Sequence, residues 1–185
     1  MYGLMNRSIQ DLVVFRHGKA AWTAVLEAAG IPHTEFQSME QYPDQMTYAL
    51  IGAAAQTLKL SADHVAEMVG EHWILYTAKV GYGDLLRIAG DDFVSLLQNL
   101  DLLHARIGRA YPSLLPPAFQ CTDITESSLR LHYRSPRPGL TPLVIGLIRG
   151  LAKMFKTTAE VTLLEAKAAG ADHDIFLITH TSSGH

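Results

Sequence analysis

A phenol, a hydroxyl and a guanidinium stand at every second position of the stretch LHYRSPRPG, residues 131–139, as Tyr133, Ser135 and Arg137. Read as a strand, this stretch sends Leu129, Leu131, Tyr133, Ser135 and Arg137 to one face, because successive side chains alternate. The two leucines mark that face as the one turned to the core. An inward arginine keeps its charge and must find an anion, since an unpaired buried charge costs several kcal/mol or more. All three side chains donate hydrogen bonds, and the planar fork of Arg137 suits a carboxylate or a phosphate. Pro136 and Pro138 stiffen the segment and remove two backbone donors. The chemistry on offer is a fixed clamp for a small acidic group carried by an apolar ligand. The alternative is an arginine at a strand end that reaches solvent or pairs with a local Asp or Glu.

His104 is the second candidate. In the run that starts at Asp91 it shares a helical stripe with Phe93, Leu96, Leu97, Leu100, Leu103 and Ile107, so its imidazole faces the core. One reading is a core histidine with a local hydrogen bond. No second His, Cys or Asp stands at i+4 to build a zinc site. A single axial imidazole among apolar side chains does suit a haem iron. Haem is an apolar disc with two carboxylates, so His104 and the clamp explain each other. The chain has no Cys-x-x-Cys-His, and the cofactor would be haem b, held non-covalently.

Two kinds of structure must position these groups. Residues 3–17 show helical spacing at Leu4, Met5, Ile9, Leu12 and Val13, with Gly18 as a stop. Residues 19–29 repeat the pattern with Trp22, Val25 and Leu26. Asp44 is placed to cap a helix running to about Leu60, and Ser61 opens another in capping-box style. Gly81 and Gly83 break the chain before a further short helix. The run from Asp91 to Tyr111 is the longest clean helix, ended by Pro112, Pro116 and Pro117. After Pro117 the pattern changes: residues 119–123, 129–135, 159–167 and 174–181 read as strands, with a helix over 140–156. The expected class is α+β, a helical part (1–115) packed on a part with a four-stranded antiparallel sheet (116–185), as one domain over 1–185.

Composition closes off other readings. Fifteen basic and 18 acidic residues give a formal charge of -3 with no basic stripe, so neither nucleic acid nor an anionic membrane is an expected partner. One cysteine, Cys121, excludes an internal disulfide and a Cys-rich metal site. The first residues turn polar too soon for a signal peptide, and the most apolar stretch, 140–155, is interrupted by Arg149 and Lys153. A cytoplasmic protein is expected.

End to end the chain resembles an H-NOX domain (haem nitric oxide/oxygen binding), the family that includes the sensor domain of the soluble guanylate cyclase β subunit. The similarity rests on MYGL at residue 1, AKVGYGDLL at 78–86, QNLDLLHAR at 98–106, PPAFQCTD at 116–123, LHYRSPR at 131–137 and GADHDIFLI at 170–178. The resemblance implies a haem held between the helical part and the sheet, with His104 as proximal iron ligand. It implies that Tyr133, Ser135 and Arg137 hold the propionates and that Pro117 presses on the haem and bends it; a helix stop is the other role for Pro117. Met1, Met5, Ile9 and Leu147 are expected apolar wall residues. Family members that bind O₂ are similar in carrying a distal tyrosine on the helix after the clamp, and the matching position here is Leu143. An apolar residue gives bound O₂ no donor, whereas NO and CO depend on one less. Trp73 and Tyr82 are the other donors expected near the pocket.

The function so implied is a non-enzymatic sensor of NO that also takes CO and forms no stable O₂ complex. NO weakens or breaks the Fe–His104 bond, and the shape change is read in trans by a signalling protein, a histidine kinase or a cyclic-di-nucleotide enzyme. The competing readings are an O₂-binding member of the family, a haem enzyme using oxygen or peroxide with His72 as its acid–base group, and a haem-free module for an acidic lipid.

Overall fold

Gly18 breaks the first helical run, as its type predicts, and a second run follows directly across a kink. The structure, a computed structural model, describes residues 1–32, 35–78, 86, 88–110 and 115–182. Its first element, α1 (Gly3–Ala28), passes through Gly18 at φ 82° and ψ 173°, a backbone conformation that glycine takes without a steric penalty. The expected stop is met: two helical runs join at the kink, and Ile9, Leu12, Val13, Trp22, Val25 and Leu26 on its two sides all enter one core. Next come α2 (Asp44–Leu58) and α3 (Ala62–His72). The Ser61 hydroxyl caps α3 by accepting from the His64 backbone N–H at 3.1 Å, as its place before the apolar run predicts. A π-helical turn, Trp73–Ala78, continues α3 directly. Then follow α4 (Phe93–Ala110), β1 (Ala118–Thr122), β2 (Ser128–Arg134), α5 (Thr141–Met154), β3 (Thr157–Glu165) and β4 (Asp174–Ser182). Gly81, Gly83, Tyr82, Tyr111 and Pro112 lie outside the described residues.

The four strands form one antiparallel sheet in the order β1-β2-β4-β3, so the α+β reading holds. β2 sits inside the sheet, paired on both edges. Its alternation is clean: Leu129, Leu131 and Tyr133 are buried, and Arg130 and Arg134 are exposed.

Two apolar clusters result. The first, among α1, α2 and α3, contains Ile9, Leu50, Val65 and Val69. The second lies between the sheet and α4 and contains Phe93, Leu96, Leu97, Leu129, Leu131, Phe176 and Ile178. α5 serves both, with Leu140 and Leu143 in the first and Val144, Ile148 and Leu151 in the second. It can do so because α3 and α5 cross almost in backbone contact. A Cβ on Gly146 would lie 2.7 Å from the Glu67 carbonyl carbon, one on Gly70 would lie 2.7 Å from the Leu147 nitrogen, and one on Gly150 would lie 2.8 Å from Ile74 Cβ. Arg149 pairs with Glu67, and Lys153 with Glu71 at 2.7 Å, along the same crossing. Among the described residues no helix is long and apolar enough to cross a membrane.

Candidate functional site

β2 delivers the phenol of Tyr133 to the second core, where it is 5% exposed. Burial pushes its pKa up, and the Ser135 hydroxyl beside it offsets part of that. The Tyr133 ring packs on Phe119 at 5.3 Å between centroids, and Phe119 in turn stacks on His104 at 5.5 Å and 22°. His104 of α4 is thus connected to the clamp strand through one aromatic ring on β1. The Asp101 carboxylate accepts from the Phe119 backbone N–H at 3.2 Å and fixes β1 against α4.

His104 is half-buried, and its Nδ1 is buried with no hydrogen-bond partner among the described residues. The local hydrogen bond of a structural core histidine is missing at that atom. Burial holds the pKa of the ring below its ordinary value, against the pull of Asp101, which keeps the imidazole neutral with a lone pair to give. A neutral imidazole beside apolar and aromatic side chains is the donor type a haem iron takes.

Ser135 and Arg137 follow the last strand residue. The Ser135 hydroxyl accepts from the Arg137 backbone N–H at 3.0 Å, which shapes the turn. Arg137 does find an anion, although not a local one. Its Nε donates to Asp44 Oδ2 at 2.8 Å, and a terminal nitrogen donates to the Leu115 carbonyl at 2.8 Å, just ahead of Pro117. The other Asp44 oxygen pairs with the amino group of Met1. Asp44 is therefore no cap: it makes no cap bond to α2 and instead ties the chain start to the clamp. Burial raises its pKa, but the amino group and the Arg137 guanidinium outweigh that and hold it below the usual carboxylate range. Tyr48 of α2 adds a bond from its hydroxyl to the Pro138 carbonyl at 2.8 Å.

The remaining expected residues divide between the two cores. Ile9 and Leu143 are buried in the first, with Met1 and Met5 packed against it; Trp73 packs against the second, and Leu147 touches both. The Trp73 indole N–H is buried without a partner among the described residues. His72, its sequence neighbour, belongs elsewhere: its ring stacks on Tyr76 at 4.6 Å and lies 5.7 Å from Phe15. Phe119, Asp101 and Asp44 escaped sequence reasoning. The Gly146-x-x-x-Gly150 spacing was the available sign of the close helix crossing.

The family model described as Haem-NO-binding matches residues 2–163. The chain belongs to this family. It is a family of haem-binding gas sensors, and its domain is a sensor and not a catalyst. Among curated relatives, the chain is 35% identical to soluble guanylate cyclase gcy-32 of Caenorhabditis elegans over 83% of its own length and 23% of that protein's. It is 26% identical to soluble guanylate cyclase 89Db of Drosophila melanogaster over 84% and 23%. The chain thus spans about a quarter of the length of the curated relatives it matches. Among solved structures, an H-NOX protein from S. oneidensis in the Fe(II)NO ligation state superposes with a TM-score of 0.87 at 23% identity, covering 98% of this chain and 100% of that one. The Fe(II) unliganded H-NOX protein from K. algicida gives 0.84 at 22%, over 100% and 99%.

Proposed function

We propose that residues 1–185 form one domain that senses NO through a haem b held between its two cores, with His104 as the axial ligand. The observation that carries this reading is His104, whose Nδ1 is buried without a hydrogen-bond partner among the described residues and whose ring is joined through Phe119 to the strand that bears Tyr133. When bound, the cofactor supplies a ferrous iron with an open position for NO or CO. Tyr133, Ser135 and Arg137 receive the propionates. Arg137 has N–H groups left over after serving Asp44 and Leu115, so it can hold a propionate while keeping the amino terminus in place. Met1, Met5, Ile9, Leu143 and Leu147 form the apolar wall, and Pro117 bears on the disc.

His104 is the tether through which the gas acts on the protein. A haem iron that bound NO would hold His104 less tightly. A freed His104 would leave the Phe119 stack and the Asp101 bond, with the apolar packing of Phe93, Leu96 and Leu97, to join α4 to the sheet. NO can shift the two-state balance only by its differential affinity, and a swing from 1:99 to 99:1 needs about 5.5 kcal/mol. The relatives that carry this domain are guanylate cyclases, which supports a signalling output. The partner proposed here is a histidine kinase or a cyclic-di-nucleotide enzyme. Absorption and vibrational spectra of the ferrous protein under NO test the tether: His104 is expected to be released at equilibrium, and a species that keeps it bound overturns release as the switch.

Gas selectivity rests on Leu143, which is 6% exposed and has nothing to donate. The ferrous protein is therefore expected to respond to NO and CO and to show no stable O₂-dependent spectral change in air. A second reading, O₂ binding, is favoured by one observation, the unpaired Trp73 N–H. If O₂ does bind stably and Trp73→Phe abolishes it, the indole is the donor and the selectivity assigned to Leu143 fails. The peroxide-enzyme reading loses its acid–base group, because His72 packs with Phe15 and Tyr76.

The clamp makes a graded prediction. Arg137→Ala removes charge-assisted bonds worth about 1.5–3 kcal/mol each, whereas Ser135→Ala removes neutral ones worth about 0.5–1.5 kcal/mol. Haem affinity measured by transfer to apomyoglobin is expected to fall more for Arg137→Ala. Equal losses would mean that Arg137 serves Asp44 alone.

A further inference from the structure

We propose that His132 and His173 form a binding site for a divalent transition-metal cation on the face of the sheet opposite Tyr133. Neither residue takes part in the haem site described above. His132 alternates on β2 with buried Leu131 and Tyr133, so its ring stands on the other face, half-buried. His173 lies in the turn that enters β4. His132 Nδ1 and His173 Nε2 approach to 2.8 Å.

Each ring is held at its far nitrogen by a different oxygen. His173 Nδ1 lies 2.8 Å from Asp172 Oδ2, and His132 Nε2 lies 2.9 Å from Thr122 Oγ1. A carboxylate only accepts, so His173 carries its proton on Nδ1 and presents the lone pair of Nε2 to His132. Carboxylate on histidine on metal is the arrangement that orients imidazole ligands in metal sites and raises their basicity. Thr122 can work in either sense, because a hydroxyl donates or accepts. Without a cation, Thr122 donates to Nε2 and His132 Nδ1–H donates to His173. With one, the His132 proton moves to Nε2 by exchange with water, Thr122 accepts it, and both facing nitrogens have lone pairs free. No net proton is gained or lost.

Two nitrogens at about 2.0–2.1 Å from a tetrahedral ion are roughly 3.3 Å apart, so the facing nitrogens separate by about half an ångström, and both rings turn so that lone pairs now directed along the hydrogen bond converge on the ion. Imidazole selects zinc, copper or nickel over magnesium and calcium, which prefer oxygen. Among the described residues no group of three or more His, Cys, Asp or Glu side chains is placed to hold a metal, so water completes the coordination. The His173 side chain is 13% exposed, which leaves an edge open to that water. A bound cation would pin the turn before β4 to the strand that carries Tyr133.

Zinc chloride titrated calorimetrically into the haem-loaded protein, with calcium chloride as control, tests the site. The expected result is one zinc equivalent bound and no calcium. His132→Ala and His173→Ala should each weaken zinc at least tenfold, and Asp172→Asn about tenfold. His64→Ala, an exposed histidine on α3, should leave the affinity unchanged. Copper(II) at the same site should show hyperfine splitting from two imidazole nitrogens. An unchanged haem absorption band checks that each variant is folded, and His173→Ala, in a turn, stands in should His132→Ala fail that check. Zinc affinity equal in wild type and in the folded histidine variants, or lost equally in His64→Ala, overturns the proposal and makes the binding adventitious.

Discussion

His104→Gly is expected to purify with little or no haem, and added imidazole is expected to restore both the cofactor and its ferrous spectrum by occupying the space the ring leaves. The substitution removes the proposed axial ligand together with the stack on Phe119. An aromatic pair of that kind is worth roughly 0.5–1.5 kcal/mol, a small part of a domain's stability, so the fold should survive. His104→Leu separates ligation from packing. It keeps an apolar side chain on the α4 stripe and should be at least as stable as the glycine variant, yet equally poor in haem and beyond rescue by imidazole. Haem content measured per protein by pyridine haemochrome decides between the readings. Full retention in His104→Gly with an unchanged ferrous spectrum would remove the histidine from the iron.

Gly146→Ala should produce the largest loss of stability among Gly→Ala changes at the described glycines. The added Cβ would meet the α3 backbone, with the Glu67 carbonyl carbon at 2.7 Å and its Cα at 2.8 Å. Backbone atoms cannot rotate aside as a side chain does, so α3 and α5 must part. Overpacking typically costs about 1–3 kcal/mol, and for a domain of this size each kcal/mol lowers Tm by roughly 2–4 °C. Parting the helices also loosens the Arg149–Glu67 pair and the seats of Leu143 and Leu147 between the cores. Gly52→Ala is the matched control. It lies inside α2 with nothing within 4 Å of its Cβ, and alanine there should add about 0.5–1 kcal/mol through helix propensity. Thermal melts of the two variants should move in opposite directions. Equal melting points would show that the crossing can yield without cost.

Much of this protein was written locally. The alternation Leu129, Leu131, Tyr133 gave β2 its buried face, and the stripe from Phe93 to Ile107 turned α4 to the core, because both patterns depend only on neighbours along the chain. The same local logic made a strand end of Arg137 and a core residue of His104. It also fell short at identifiable places. Gly18 does break the helix as its type predicts, but only the fold shows that one core receives both halves of α1. Asp44 looks like a cap because it opens a helix after a polar stretch. Its carboxylate instead belongs to Arg137, 93 positions away, and to the chain's own amino group. The Gly146-x-x-x-Gly150 spacing hints at a close helix contact, but only the crossing of α3 over α5 shows that Gly70, Gly146 and Gly150 meet a backbone or a side chain there. His132 and His173, 41 positions apart, meet only because β4 pairs with β2. Periodicity fixes which face of an element is apolar, since that depends on a repeat along the chain. Which charge finds which counter-charge, and where two backbones touch, depends on how distant elements return to one another.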